Sequence, residues 1–122
     1  MNARAANIYR SVDLESAPKS QIVDRLFARF AQDVEAAKAA LAAKDIHTKA
    51  KTIDHASCIV VELKAALDHT QAPELCANLE SLYDFVLGRL AQSNLSLAPG
   101  PLDQAARIMT DLATAFREAG TK

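Results

Sequence analysis

Apolar side chains recur at steps of three and four residues along most of this chain, a spacing that gathers them on one face of an α-helix. Stretches that lack the pattern or contain proline separate these runs. The frequent turn residues and β-branched runs that a β-sandwich needs are missing. The pattern therefore predicts four helices, at about residues 18–44, 47–69, 73–94 and 101–119.

Start and stop signals agree with these bounds. Ser16 and Pro18 suit the cap and first turn of helix one, and Pro73 suits the first turn of helix three. The Ala-Pro-Gly-Pro segment at 98–101 is the clearest break in the chain, and Gly120 stands where helix four is expected to end.

Short connections make successive helices antiparallel neighbours, so the expected fold is all-α, an antiparallel up-down four-helix bundle built from residues 16–120. Residues 1–15 lie outside it and include Ile8, Tyr9 and Leu14, which make them too apolar for a purely solvated tail. We expect a single-domain bundle with a short N-terminal segment packing on its side.

Charge and composition narrow the possible partners. The 122 residues are half hydrophobic and carry a formal net charge of −1, with basic and acidic side chains intermixed. A nucleic-acid-binding protein usually has a basic stripe, and none is visible, so nucleic acid is not an expected partner. No apolar run approaches a membrane span, and the first residues lack the pattern of a signal peptide. The sequence thus predicts a cytoplasmic protein without a membrane partner, with Cys58 and Cys76 reduced.

Helix three carries more apolar surface than one core face can bury. A core-facing stripe is somewhat over 100° wide, whereas these side chains spread over roughly 200°. They are Leu75, Leu79, Leu82, Tyr83, Phe85, Val86, Leu87 and Leu90. Helix one extends past its core edge through Phe27 and Val34, and helix two presents Val61 away from its seam.

Two interpretations of this surplus apolar surface stay open. Either the N-terminal segment covers it, or a partner helix binds in a groove there. The two are compatible, because a segment that shields the groove can leave when the partner arrives.

Residues able to bind metal or perform catalysis form no standard motif. His55, Cys58, His69 and Cys76 offer zinc-binding atoms, but their spacing matches no zinc module, and free cysteines are usually small buried hydrophobes. The sequence also lacks a phosphate-binding loop, a nucleophile elbow and a metalloprotease motif. We therefore expect no metal site, no cofactor and no enzymatic activity.

Charged residues on the predicted helices are interpreted as solvated surface groups, among them Asp33, Glu35, Glu62 and Glu80. One rival function depends on His55, which the helical wheel places on the polar side of helix two. An exposed histidine in the middle of a helix is what a phosphotransfer bundle requires, so a helical signalling or phosphotransfer module is the alternative hypothesis.

Several short motifs match a known family when they are taken in order. Asn7-Ile8-Tyr9 matches an N-terminal tyrosine motif, residues 15–27 a helix-one signature, and positions between 49 and 68 a helix-two pattern. The strongest match is residues 78–85, Asn-Leu-Glu-Ser-Leu-Tyr-Asp-Phe, followed by Leu90 and Asn94. Together they resemble the FliS family of flagellar secretion chaperones over almost the whole chain.

Three positions depart from that family's pattern. Residues 70–73, Thr-Gln-Ala-Pro, stand where a glycine-containing loop is usual. Phe116 takes the place of a common tryptophan, and Phe27 that of a tyrosine. These changes suggest a divergent member and bear on partner contact more than on the fold.

The resemblance implies a cytoplasmic chaperone that binds the C-terminal region of flagellin, prevents premature polymerisation and aids delivery to the flagellar type III export gate. The gate and other flagellar proteins are further implied partners. For the chain itself we expect a monomer or a weak homodimer. A disordered flagellin tail would fold into helices along apolar grooves, which the chaperone's N-terminal segment partly occupies when no client is bound.

The candidate partner-binding residues follow from the resemblance and the helical wheel together. They are Ile8, Tyr9, Leu14, Leu26, Phe27, Phe30, Val61, Leu82, Tyr83, Val86, Leu87 and Leu90. Among them, Leu26, Phe30, Leu82 and Val86 are expected nearer the core. Surface contact is expected for Phe27, Tyr83 and Leu87, which sit at the edges of their stripes.

Overall fold

A computed structural model describes residues 19–120 of the chain and the side chains of residues 21–118. This part of the chain folds into four α-helices, which confirms the all-α prediction. They are α1 Lys19–Ala42, α2 Ile46–Ala65, α3 Pro73–Leu95 and α4 Gly100–Gly120. The expected cap at Ser16 and the expected N-terminal segment lie outside the described residues.

The helices form a closed ring. Each packs against the next along the chain, and α4 packs back against α1. With the short connections this gives the predicted up-down bundle. A single core runs through it and contains Phe27, Phe30, Val34, Ala37, Ile53, Ala56, Ile59, Val60, Leu63, Tyr83, Val86, Leu90, Leu102, Ala105 and Met109.

Steps of three and four residues define the seam that each helix turns toward this core. On α3 the seam consists of Cys76, Leu79, Tyr83, Val86, Leu90 and Ser93. On α1 it consists of Val23, Phe27, Phe30, Val34, Ala37 and Leu41. The α3 seam includes a cysteine and a serine but passes over Leu75 and Leu82, and this leaves strongly apolar side chains on the outside of the helix.

The connection from α1 to α2 is built from local hydrogen bonds. Lys44 adopts a left-handed conformation with φ of 60°. Its N–H donates to the Leu41 carbonyl at 3.1 Å, and the Asp45 N–H donates to the Ala40 carbonyl at 2.8 Å, the pair of bonds that closes a Schellman C-cap. Asp45 then caps α2, because its carboxylate accepts the Thr48 N–H at 3.1 Å.

Helix α2 ends at Ala65, so the predicted end near residue 69 is wrong. The Asp68 side chain accepts the Thr70 N–H at 3.1 Å, and the Gln71 N–H donates to the Asp68 carbonyl at 3.2 Å. A side chain that accepts a hydrogen bond from the backbone of the residues just after it competes with the helical hydrogen bonds. Here the Asp68 side chain stabilises a turn in place of a further helical turn.

Polar contacts between neighbouring helices fix their register. Lys64 Nζ lies 2.6 Å from Asp84 Oδ1 across α2 and α3, and Lys38 Nζ lies 2.9 Å from Asp103 Oδ1 across α1 and α4. Each hydrogen-bonded carboxylate raises the pKa of its lysine. These pairs are exposed, so they set alignment more than they add stability.

Candidate partner-binding surface

Besides Leu95 at its last position, helix α3 presents three large apolar side chains to solvent. Leu75 is 58% exposed, Leu82 38% and Phe85 49%. They lie outside the seam that faces the core, and on the helical wheel they occupy one neighbouring arc. We term Leu75, Leu82 and Phe85 the outer patch.

The outer patch lies on the side of α3 that faces α4. Arg89 Nη1 lies 3.5 Å from Gln104 Oε1 of α4, and its guanidinium carbon lies 5.3 Å from the centroid of the Phe85 ring. Because α3 and α4 are antiparallel, this register places Phe85 level with Ile108. Ile108 and Leu112 are partly buried against the core, so they extend the apolar surface from α3 onto α4.

The opposite edge of α3 meets α2. The Lys64–Asp84 pair fixes the antiparallel register there, and moving three residues along each helix brings Val61 level with Leu87. Both side chains are partly buried. The α2–α3 edge thus carries an apolar strip formed by Val61 and Leu87.

A cleft of about 470 Å³ lies between α1 and α4. Buried core residues, small residues and charged residues all contribute to its lining. Its lining comprises Asp24, Phe27, Ala28, Phe30, Ala31, Val34, Glu35, Ala106, Met109, Thr110, Ala113 and Arg117. Phe27 also packs against Phe116, with ring centroids 5.7 Å apart, so Phe116 helps to close the end of this interface.

Burial corrects part of the sequence-based placement. Phe27 and Tyr83, expected at the surface, are 5% and 1% exposed because both belong to the three-and-four seam. Leu82, expected nearer the core, lies on the outside. Phe30, Val86 and Leu90 are also buried. Phe30 contributes to the lining of the α1–α4 cleft, whereas direct partner contact with Val86 or Leu90 would require the bundle to open.

Four of the predicted partner-binding residues keep accessible surface: Leu26, Val61, Leu82 and Leu87. Ile8, Tyr9 and Leu14 lie outside the described residues. Leu75 and Phe85 belong to the surplus apolar arc of helix three, although the predicted partner-binding set does not include them. Their positions lie outside the three-and-four seam, and this identifies them as exposed. A ranking of the side chains by hydrophobicity alone does not use their position on the helix.

Two carboxylates expected to be solvated are buried, Asp33 and Glu62. Asp33 contacts His55 Nδ1 across the α1–α2 interface, and Arg29 Nε lies 3.5 Å from its other oxygen. His55 is therefore in contact with α1, while 43% of its side-chain surface stays exposed.

The cysteines and histidines do not form a common cluster. Among the described residues, no group of three or more metal-binding side chains lies close enough to hold an ion. Cys76 is buried in the α3 seam, and its Sγ lies 3.3 Å from the Asp68 carbonyl oxygen. Burial raises the pKa of the Cys58 thiol, which reduces its reactivity at neutral pH.

None of the helices in residues 19–120 combines the length and apolar character that crossing a membrane requires. A small helical bundle that leaves large apolar side chains exposed along its outside has the features of a protein-binding module.

The family described as "Flagellar protein FliS" matches residues 1–122, and the chain belongs to this family. Curated relatives agree. The flagellar secretion chaperone FliS of Salmonella typhimurium is 28% identical over 125 residues, covering 98% of this chain and 93% of the relative. The protein of the same name from Vibrio cholerae is 29% identical, covering 87% and 79%, and that of Escherichia coli is 27% identical, covering 96% and 90%.

Proposed function

We propose that this protein is a cytoplasmic export chaperone that binds the C-terminal region of flagellin, prevents its premature polymerisation and aids its delivery to the flagellar type III export gate. It acts by binding and not by catalysis. The observation that carries the proposal is the outer patch on α3, apolar and exposed, in a chain of the FliS family.

Apolar contact is the physical basis of client binding. A disordered flagellin tail loses conformational entropy when it folds onto the bundle, so the contact must be large and mostly apolar to compensate. Covering the exposed part of Leu82 or Phe85 contributes roughly 1 kcal/mol each, and the neighbouring Ile108 and Leu112 add to the same surface.

The geometry supports a helical client segment along the α3–α4 edge. An amphipathic helix laid beside α3 repeats its apolar side chains every three to four residues, which matches the spacing from Leu82 to Phe85. The α2–α3 strip at Val61 and Leu87 and the α1–α4 cleft are further surfaces for the remaining client segments. The N-terminal segment, with Ile8, Tyr9 and Leu14, is proposed to cover part of this surface when no client is bound.

The test is a calorimetric titration of the full chain with a peptide of the flagellin C-terminal region from the same organism. We expect micromolar or tighter binding, a negative heat-capacity change and a gain of helical circular dichroism on mixing. An equimolar amount of the chaperone should also slow seeded flagellin polymerisation. Absence of binding to every flagellin of that organism would overturn the proposal.

Tyr9→Ala provides a second test within the same titration. The proposed covering role predicts an altered client affinity with helical content nearly unchanged. Loss of the bundle's helical content would instead assign Tyr9 a structural role. The phosphotransfer alternative at His55 is tested separately, by incubation with a histidine kinase and detection of an acid-labile phosphate.

A further inference from the structure

Arg89 is a partly buried cation at the edge of the outer patch. Its guanidinium carbon lies 5.3 Å from the centroid of the Phe85 ring, and its Nη1 lies 3.5 Å from Gln104 Oε1, which is long for a hydrogen bond. Its Nε is buried and has no hydrogen-bond partner within the part of the chain that the structure describes. Among the described side chains, the guanidinium group thus has one weak polar contact and one aromatic contact.

Two other cations that reach a neighbouring helix find a carboxylate there. Lys64 pairs with Asp84 at the α2–α3 edge, and Lys38 pairs with Asp103 at the α1–α4 edge. These ion pairs occupy the acidic groups that lie closest to Arg89 in the sequence of α3 and at the start of α4. Because a partly buried charge is costly when it has no opposite charge beside it, Arg89 gains from a carboxylate that is supplied from outside.

The remaining charges at the α3–α4 edge leave the surface beside Phe85 positive. In the antiparallel register of the two helices, Asp111 is level with Leu82, about 10 Å along the helix axis from Arg89. Arg107, which is exposed on α4, lies one turn closer to the level of Arg89 and adds a second positive charge. The apolar surface is therefore bordered by cations at the Phe85 level and by an acid further along.

We propose that Arg89 determines specificity on the client surface, by selecting a segment that carries a carboxylate beside its apolar stripe. This inference rests on the proposed function and adds a polar anchor to a surface described so far by its apolar side chains. Leu82, Phe85 and Arg89 follow one another at steps of three and four residues along α3. A helical client laid along them should carry Asp or Glu three or four residues from the apolar side chain that covers Phe85.

A carboxylate suits this position for two physical reasons. The planar guanidinium group donates paired N–H bonds to a carboxylate, and these charge-assisted bonds are stronger than neutral ones. The Phe85 ring already restricts the arginine, so less conformational entropy is lost when the pair forms.

The anchor also sets the register of the client. A helix whose apolar side chains recur every three to four residues can shift by one turn and still cover the same apolar surface. One charged pair at a fixed position removes this ambiguity, because a shifted helix leaves its carboxylate without the arginine.

The probe is a peptide of the flagellin C-terminal region from the same organism, titrated into the full chain at low and at high salt. Each Asp and Glu of the peptide is replaced in turn by Asn or Gln. We expect one position at which the replacement weakens binding about tenfold, and Arg89→Gln should weaken binding of the unmodified peptide by a similar factor. Both changes together should cost little more than either alone, and salt should weaken binding less in Arg89→Gln than in wild type.

Further variants separate a specific pair from general charge. Arg89→Glu should bind a peptide with arginine at the identified position more tightly than wild type does. Arg89→Lys keeps the charge without the planar fork, so its affinity should fall between those of wild type and Arg89→Gln. The matched control is Arg107→Gln, the same change at an exposed position of the same edge, which should alter affinity by less than about twofold. Circular dichroism and urea unfolding check that each variant keeps the bundle.

The outcomes distinguish this inference from the proposed function. Absence of peptide binding to the wild-type chain would contradict both. Equal binding to wild type and Arg89→Gln, or effects of Arg89→Gln that add fully to those of every peptide replacement, would overturn the role of Arg89 alone. An equal loss in Arg107→Gln would reduce the effect to general charge, and a gain of affinity in Arg89→Gln would mean that the arginine holds a competing segment of this chain; either result would also overturn the inference.

Discussion

Lys49 and Ser96 are joined across the bundle by a hydrogen bond from a buried ammonium group to a backbone carbonyl, with Nζ 2.7 Å from the oxygen. Ser96 is the C-cap residue of α3, so the lysine sits at the negative end of that helix. The contact ties the first turns of α2 to the loop between α3 and α4. Burying an isolated charge costs free energy. Here the hydrogen-bond partner and the favourable helix dipole offset the cost of burying the Lys49 ammonium group.

Replacing this lysine tests that account. Lys49→Met keeps the length of the side chain but removes the charge and the hydrogen bond, and we expect the free energy of unfolding to fall by about 1.5–3 kcal/mol. Lys51→Met, at an exposed position two residues on, should change it by less than about 0.5 kcal/mol. Urea unfolding followed by circular dichroism measures both, and equal effects of the two changes would contradict the structural role of Lys49.

The left-handed residue after α1 predicts a substitution that raises the free energy of unfolding, in contrast to Lys49→Met, which lowers it. Lys44 has φ of 60°, a conformation in which a side chain is unfavourable and glycine is not. Lys44→Gly should therefore raise the free energy of unfolding by about 0.5–1 kcal/mol. Ala39→Gly, on the exposed face of α1, should lower it by about 1 kcal/mol. A destabilised Lys44→Gly protein would show that the lysine side chain has a favourable role at this position.

The cap of α2 predicts a dependence on pH. Hydrogen bonds from the Thr48 side chain and from the Thr48 N–H lower the pKa of the Asp45 carboxyl below its ordinary value of 3.8. A folded-state pKa below the unfolded value gives stability that is present above the unfolded pKa and is lost as pH falls through the folded pKa. Asp45→Ala should thus be less stable than wild type at neutral pH, and the difference should shrink in acid.

Urea titrations at about pH 7 and about pH 3 measure this effect. Asp45→Asn is the matched control, since its neutral side chain also caps a helix and does not titrate. Its stability relative to Asp45→Ala should persist in acid. The account is contradicted if Asp45→Ala is as much less stable than wild type in acid as it is at neutral pH. The ionised carboxylate would then not be the source of the stabilisation.

The free energy of unfolding of point variants distinguishes core residues from surface residues within the predicted partner-binding set. Phe30 is 1% exposed, and Phe30→Ala should lower the free energy of unfolding by about 3–5 kcal/mol. Leu82→Ala removes a side chain that is largely outside the core, so its cost should stay below about 1 kcal/mol. Denaturant titrations measure both changes in unfolding free energy. A large loss of stability in Leu82→Ala would show that Leu82 belongs to the core.

The sequence was sufficient to predict the helices and most of the core. Ile53, Ala56, Val60 and Leu63 form the predicted seam of α2 and are all buried, because steps of three and four leave little choice of face. The end of α2 was predicted too late because the turn at Asp68 depends on a side-chain hydrogen bond that apolar periodicity does not record.

The candidate surface was harder to predict. An apolar arc of roughly 200° does not say which half faces the core. Leucine at 82 appeared a better core residue than tyrosine at 83, yet the register set by Cys76 and Ser93 turns Tyr83 inward. The burial of Asp33 depends on its contact with His55, a pairing between two helices that cannot be derived from either helix alone.

The exposed apolar side chains of α3 are proposed to bind the client. The most direct test of this proposal is the affinity of Leu82→Ser/Phe85→Ser for a flagellin C-terminal peptide. We expect a loss of about tenfold or more relative to wild type with unfolding free energy changed by less than about 1 kcal/mol. Ala50→Ser/Ala77→Ser, at exposed positions outside the outer patch, is the control and should bind as wild type does. Unchanged affinity of Leu82→Ser/Phe85→Ser would contradict the claim.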